Sequence, residues 1–155
     1  MARRAVAIAP WIKLVREPSR YPVNRTRVRG ARDVAALVGP RMATEEVEVF
    51  LLLCLNASSE VTHLVEVSRG ILNATLATPR EVFAPAIVAR ASGVILAHNH
   101  PSGSLDPSVD DVTMAHQLVQ AGKLLDIPVY DHLIVATPSG SPGVRFCSFA
   151  ERGLL

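Results

Sequence analysis

The sequence predicts an α/β fold, a mixed β-sheet flanked by helices, and three observations carry that reading. Short, nearly continuous apolar runs close residues 46–55 and fill 94–98 and 129–136, as strands buried on both faces require. Between these runs, residues 79–91 open with helix-start signals and 109–125 repeat apolar side chains at helical spacing. Strands adjoin one another early in the chain and are separated by helices later, so one sheet with both hairpin-type and crossover connections is expected.

With 155 residues, 49% of them hydrophobic and 19% charged, the chain has the size and composition of one globular domain with a buried core. No apolar run approaches the roughly 18–20 uninterrupted residues that span a bilayer. The opening stretch, basic and then apolar, is cut by Pro10 and Lys13 with no cleavage site after it. A cytoplasmic protein without membrane contact is expected. Cys54 and Cys147 lie far apart in apolar contexts and read as buried reduced thiols. Charge is uneven: residues 1–41 hold 10 basic and 2 acidic side chains, net +8, against 6 basic and 12 acidic in the remainder, net −6. Such an arm suits nucleic acid or an acidic partner, although a solvated leader is the plainer reading.

Residues 1–28 contain Pro10, Pro18 and Pro22 among scattered arginines and show no sustained period, so they read as an extended leader ahead of a single domain at 29–155. Ala31, Val34, Ala35, Leu37 and Val38 predict a short helix over 30–42, broken near Gly39-Pro40. Residues 46–55 alternate first and then run apolar, as in a strand that starts at an edge and ends buried. After a turn at 56–60, residues 61–67 and 71–77 read as strands separated by Ser68-Arg69-Gly70. Thr78, Pro79 and Glu81 supply an N-cap, a first helical residue and a capping box. That helix should reach about Ala91, bent by Pro85 and stopped by Ser92-Gly93. The strand at 94–98 leads through a polar loop into the helix at 109–125, whose apolar stripe is Val112, Ala115, Leu118, Val119, Gly122 and Leu125. Strands at 129–136 and 144–149 flank a Ser/Pro/Gly loop at 137–143, and Glu151-Arg152-Gly153 forms the tail.

The chemistry concentrates between residues 97 and 111. His98 and His100 stand two apart at a strand end, where alternate side chains share a face. Both imidazoles can therefore reach one point, and a carboxylate from the following helix can close a third side. That is a zinc-site pattern with an open position, in which neutral imidazoles serve as ligands. Spacing alone leaves Asp106, Asp110 and Asp111 as candidates for the third ligand. Asp111 has a rival role, because Ser108-Val109-Asp110-Asp111 is also a capping box. If helix and metal compete for it, the side chain should swing to the cap when no metal is held. His63, His116 and His132 read as structural.

The residues His98-Asn99-His100-Pro101-Ser102-Gly103, Pro107-Ser108 and Asp111 resemble the JAMM (MPN+) metallopeptidase signature, His-x-His-Pro, a spacer and Ser-x-x-Asp. The Asn-His-Pro-Ser-Gly form is similar to the bacterial RadC-like, UPF0758-type branch. Glu48-Val49-Phe50, Gly70-Ile71-Leu72-Asn73-Ala74, Pro79-Arg80-Glu81-Val82-Phe83, Asp131-His132-Leu133-Ile134-Val135 and the closing Glu151 to Leu155 resemble it too. The resemblance implies a single JAMM/MPN (cytidine-deaminase-like) domain. It further implies a zinc-dependent hydrolase, a metallopeptidase or isopeptidase acting on a peptide or protein through a metal-activated water. On this reading one Zn²⁺ per chain is held by His98, His100 and Asp111. Ser108 supports the site or assists the oxyanion, and Glu48 is the general base, preferred over Glu45 and Glu46 by the Glu-x-Phe pattern. Two other classes stay open: a DNA-associated accessory protein that binds nucleic acid through residues 1–41, and a non-catalytic interaction module stabilised by a metal. Longer members of that branch carry a helix-hairpin-helix region before this domain, and residues 1–28 are too short and proline-rich to be one.

Overall fold

Residues 49–55 bury every side chain and form the middle of the sheet. The computed structural model describes residues 25–42, 45–70, 77–136 and 143–155. Among these, six strands make one sheet: β1 (Thr26–Arg27), β2 (Val49–Leu55), β3 (Glu60–Arg69), β4 (Gly93–Asn99), β5 (Val129–Ala136) and β6 (Arg145–Ser148). Their order is β1-β3-β2-β4-β5-β6. β2 pairs antiparallel with both β3 and β4, while β4 and β5 run parallel through a helical crossover. The sheet is thus mixed, as the alternation of elements predicts.

Strand parity divides the core. Val49, Leu51, Leu53 and Leu55 of β2 pack with Ile95 and Ala97 of β4 beneath α1 (Ala31–Met42). Phe50, Leu52 and Cys54 point the other way, toward Val82, Phe83 and Ala86 of α2 (Pro79–Val88) and Met114 and Leu118 of α3 (Val109–Leu125). Both faces are covered by helices, which is why the central strands read as continuous apolar runs rather than alternating ones. Burying each such Leu or Phe side chain contributes roughly 1.5–3 kcal/mol.

Several boundaries differ from the sequence expectation. α1 does not break at Gly39-Pro40 but runs to Met42. Pro40 falls in its last turn, where a single ladder bond is lost, and buried Val38 and Met42 hold that turn down. Gly39 belongs there because a Cβ would lie 2.2 Å from the Val144 side chain. α2 stops at Val88 rather than near Ala91: Arg90 turns into the left-handed region (φ 52°), and the Ser92 N–H then donates to the Leu55 carbonyl at 2.8 Å. Gly93 is not a helix stop but the first residue of β4, packed so tightly on Tyr130 that a Cβ would come within 2.1 Å of the ring. The α3 stripe is rotated toward Met114, leaving Leu125 exposed.

Within the expected leader, Thr26–Arg27 forms β1, which pairs with β3. Phe149–Arg152 forms a short helix, α4, capped by the Ser148 hydroxyl and closed by Gly153 in the left-handed conformation (φ 67°). The strand expected at 71–77 and the loop at 137–143 lie almost wholly outside the described residues, as do residues 1–24. No helix among the described residues is long and apolar enough to cross a membrane. Cys54 and Cys147 are free and buried, and burial pushes the Cys54 thiol up to about 12.

Candidate metal centre

β4 ends at Asn99, and its last inward side chain on the α3 side, His98, is fully buried. Phe50, its register partner on β2, stacks on the imidazole with ring centroids 6.0 Å apart and planes 12° apart. His100 lies one residue past the strand and is half-buried. Pro101 then supplies the preset φ of a turn, closed by the Gly103 N–H donating to the His100 carbonyl at 2.8 Å, with Gly103 at φ 73°. The turn returns the Ser104 carbonyl to within 3.0 Å of His100 Nδ1. A carbonyl only accepts, so Nδ1 carries the proton and, in the neutral ring, Nε2 presents its lone pair to the site.

Between the two histidines, Asn99 is a backbone clamp on β2. Its side-chain oxygen accepts from the Val49 N–H at 2.9 Å, and its amide donates to the Val47 carbonyl at 3.0 Å. Those two backbone groups flank Glu48, whose side chain is thereby held beside His98.

At the other wall, Ser108 caps α3 in a complete capping box. Its N–H and its hydroxyl both donate to Asp111 Oδ2 at 2.7 Å, while the Asp111 N–H donates back to the hydroxyl at 3.1 Å. The same carboxylate also reaches the histidines, with Oδ1 3.4 Å from His98 Nε2 and Oδ2 3.4 Å from His100 Nε2. One conformation of Asp111 thus serves both helix and cluster, because a carboxylate has lone pairs enough for both.

These elements bring one ligand atom each from Glu48, His98, His100 and Asp111 within 4.8 Å of one another. The two Nε2 atoms are 3.0 Å apart, and Glu48 Oε1 lies 3.8 Å from His98 Nε2. Imidazole nitrogens that face each other this closely, with two carboxylates beside them, are stable only around a shared proton or a cation. The donor set, two nitrogens and two carboxylates, suits a divalent ion of zinc type. Asp106 and Asp110, which spacing left open, are exposed and outside the cluster. Glu45 is bound by Arg69, which also holds Glu66, and Glu46 is exposed, so of the three neighbouring glutamates Glu48 alone joins the group.

The electrostatics follow the geometry. Burial raises Glu48, with His98 and His100 opposing that rise. Burial also works to raise Asp111, but hydrogen bonding to His100 and His98 prevails and holds it well below the usual carboxylate range. His100 is raised chiefly by its contact with Asp111. His132 of β5 is fully buried and depressed by desolvation, so it is neutral.

Over residues 28–154 the chain matches the family described as RadC-like JAB domain. The chain belongs to that family. It is 40% identical to a UPF0758 protein of Moorella thermoacetica, covering 98% of this chain and 64% of that one. It is 45% identical to a UPF0758 protein of Symbiobacterium thermophilum, over 88% and 56%, and 39% identical to one of Salinibacter ruber, over 90% and 57%. The chain thus spans between 56% and 64% of the length of these relatives.

Two residues of this RadC-like JAB domain touch the site without a role predicted from spacing. Asn99 hides between the histidines as an unspecified position. His132 lies 34 residues from His98, yet His98 pairs with Ile134 in the parallel register, which sets His132 on the same face. The signal available for it is an imidazole that, with Asp131 before it, interrupts the apolar run of a buried strand. His63 and His116 remain apart from the cluster.

Proposed function

We propose that this RadC-like JAB domain is a zinc-dependent hydrolase, a metallopeptidase or isopeptidase, with one ion held by His98, His100 and Asp111. The observation that carries this reading is the convergence of three ligand side chains with a fourth side chain, the Glu48 carboxylate, that stands farther off and stays partly open to solvent. Bound there, the ion would supply Lewis-acid polarisation of a carbonyl and a lowered pKa for water.

The chain's own residues do the rest. Glu48 Oε1 takes a proton from the attacking water and returns it to the leaving amine, a task suited to a carboxylate raised by burial. Ser108 keeps Asp111 oriented through both its N–H and its hydroxyl, and the hydroxyl can turn to an oxyanion while the N–H holds Asp111. Phe50 and Asn99 fix the angle between the strand that carries the histidines and the one that carries Glu48.

The deciding experiment compares wild type with Glu48→Gln on a quenched fluorescent peptide library after zinc loading. Zinc stoichiometry should persist while hydrolysis falls about 10²–10⁴-fold. Equal cleavage by the two proteins would remove Glu48 from the role of base.

One observation favours a second reading, nucleic-acid binding: Arg25, Arg27, Arg29 and Arg32 are all exposed on or beside β1 and the start of α1. Affinity for duplex DNA that falls steeply with salt would support it.

A further inference from the structure

We infer that His132 is a positioning residue for the metal centre, holding His98 in the one tautomer that can ligate. The inference rests on the ligand assignment proposed above and adds a residue to it. His98 Nδ1 and His132 Nε2 are 2.8 Å apart, so one of the two atoms carries the proton between them. If His132 Nε2 carried it, neutral His98 would bear its own proton on Nε2. That N–H would be aimed at Asp111 and His100, and no lone pair would remain for a cation. If His98 Nδ1 carries it, Nε2 is bare and faces the cluster. Ligation at His98 Nε2 therefore requires His132 to act as acceptor, with its remaining proton on Nδ1.

His132 is built for this one contact. Its Nδ1 is buried and has no hydrogen-bond partner among the described residues, so Nε2 is the only ring atom engaged. The ring cannot swing freely. Phe149 lies against it at 4.5 Å between centroids, and Phe50 meets it edge-on at 5.5 Å. Its backbone N–H donates to Asp131 Oδ1 at 2.7 Å, and Asp131 is itself pinned by the Ser148 hydroxyl and the Ala150 N–H. Phe50 thus braces both rings of the pair, stacking on His98 and edging His132.

Metal-bound histidines almost always donate their second ring N–H to a carboxylate, a backbone carbonyl or water. A neutral imidazole in that place orients His98 without adding a negative charge. The site then balances a divalent cation with Asp111 and Glu48 alone.

The test uses the full chain as wild type, His132→Phe and His132→Gln, titrated with Zn²⁺ against a chromophoric chelator. Circular dichroism checks folding. His132→Phe keeps the aromatic packing but removes the acceptor, and its zinc affinity should fall 10–100-fold. His132→Gln restores an acceptor through its side-chain carbonyl and should recover most of that loss. Long-range ¹⁵N–¹H spectra of zinc-loaded wild type should show His98 protonated at Nδ1. Equal zinc affinity in wild type and folded His132→Phe, or a bare Nδ1 on His98, overturns the inference. If His132→Phe does not fold, the tautomer of His132 in zinc-loaded wild type decides: a proton on its Nδ1 with a bare Nε2 supports the inference, and a proton on its Nε2 overturns it. Failure of wild type to bind zinc would instead overturn the ligand assignment, and this inference with it.

Discussion

β4 sends alternate residues of one short strand to different ends. Ile95 and Ala97 finish under α1 in a cluster that is apolar throughout. Val94 and Leu96 begin in the same way under α2 and α3, but the next residue on that face is His98, with His132 beside it on β5. The α1 face is a plain core. The opposite face changes from core to chemistry within the length of one side chain, and Phe50 sits at the change, touching Leu-rich packing and both imidazoles. The difference teaches how a small domain buries polar rings: it surrounds them with aromatic and aliphatic side chains that fix their angles and turns their ring nitrogens toward one another and toward carboxylates.

The comparison is broken most completely by removing a ligand. His100→Ala should abolish stoichiometric zinc binding, read by elemental analysis. The variant should still fold, checked by circular dichroism, because His100 lies past the end of β4 and outside the apolar clusters. Next comes the mirror experiment on the other face. Leu53→Ala should lose about 2–5 kcal/mol of stability in urea denaturation, while the folded protein keeps its zinc affinity. Loss of zinc from folded Leu53→Ala would show that the two faces are not separable.

Ser108→Ala should sharpen the boundary, since its hydroxyl both caps α3 and orients Asp111. A stability loss of about 1 kcal/mol is expected from the cap, together with weaker zinc binding. A loss of one without the other would split the two roles. The smallest effect is electrostatic. Cys54 keeps its proton in the folded chain up to about 12, whereas an unfolded thiol releases it near 9. Between those values the unfolded state binds fewer protons, so stability declines as pH rises, by on the order of 1 kcal/mol between pH 8 and 9.5. Cys54→Ala should show a shallower decline across the same range.

The sequence made the sheet class, β5 and α3 legible because long buried runs and a capping box leave little freedom. Boundaries slipped where a local signal lost to packing. Pro40 does not break α1 because the turn that holds it is anchored by Val38 and Met42, and Gly93, a stop signal by residue type, serves instead the close approach of Tyr130. At the site, the two histidines followed from strand parity alone. The choice among three aspartates and the addition of Glu48 did not, because those relations depend on how α3 and β2 are laid against β4. His132 depended on parallel register, which no local pattern encodes.

Asp111 gives the domain a property that neither of its roles has alone. Its carboxylate closes the first turn of α3 and also faces the histidines, so the start of the helix and the candidate cation site share one group. Thermodynamic reciprocity then applies. Whatever tightens the hold on a cation also suppresses fraying of α3 at Val109 and Asp110, and whatever frays that turn loosens the cation by the same free energy. The amide hydrogens at the mouth of α3 are thus a built-in gauge of occupancy, readable by exchange without any substrate.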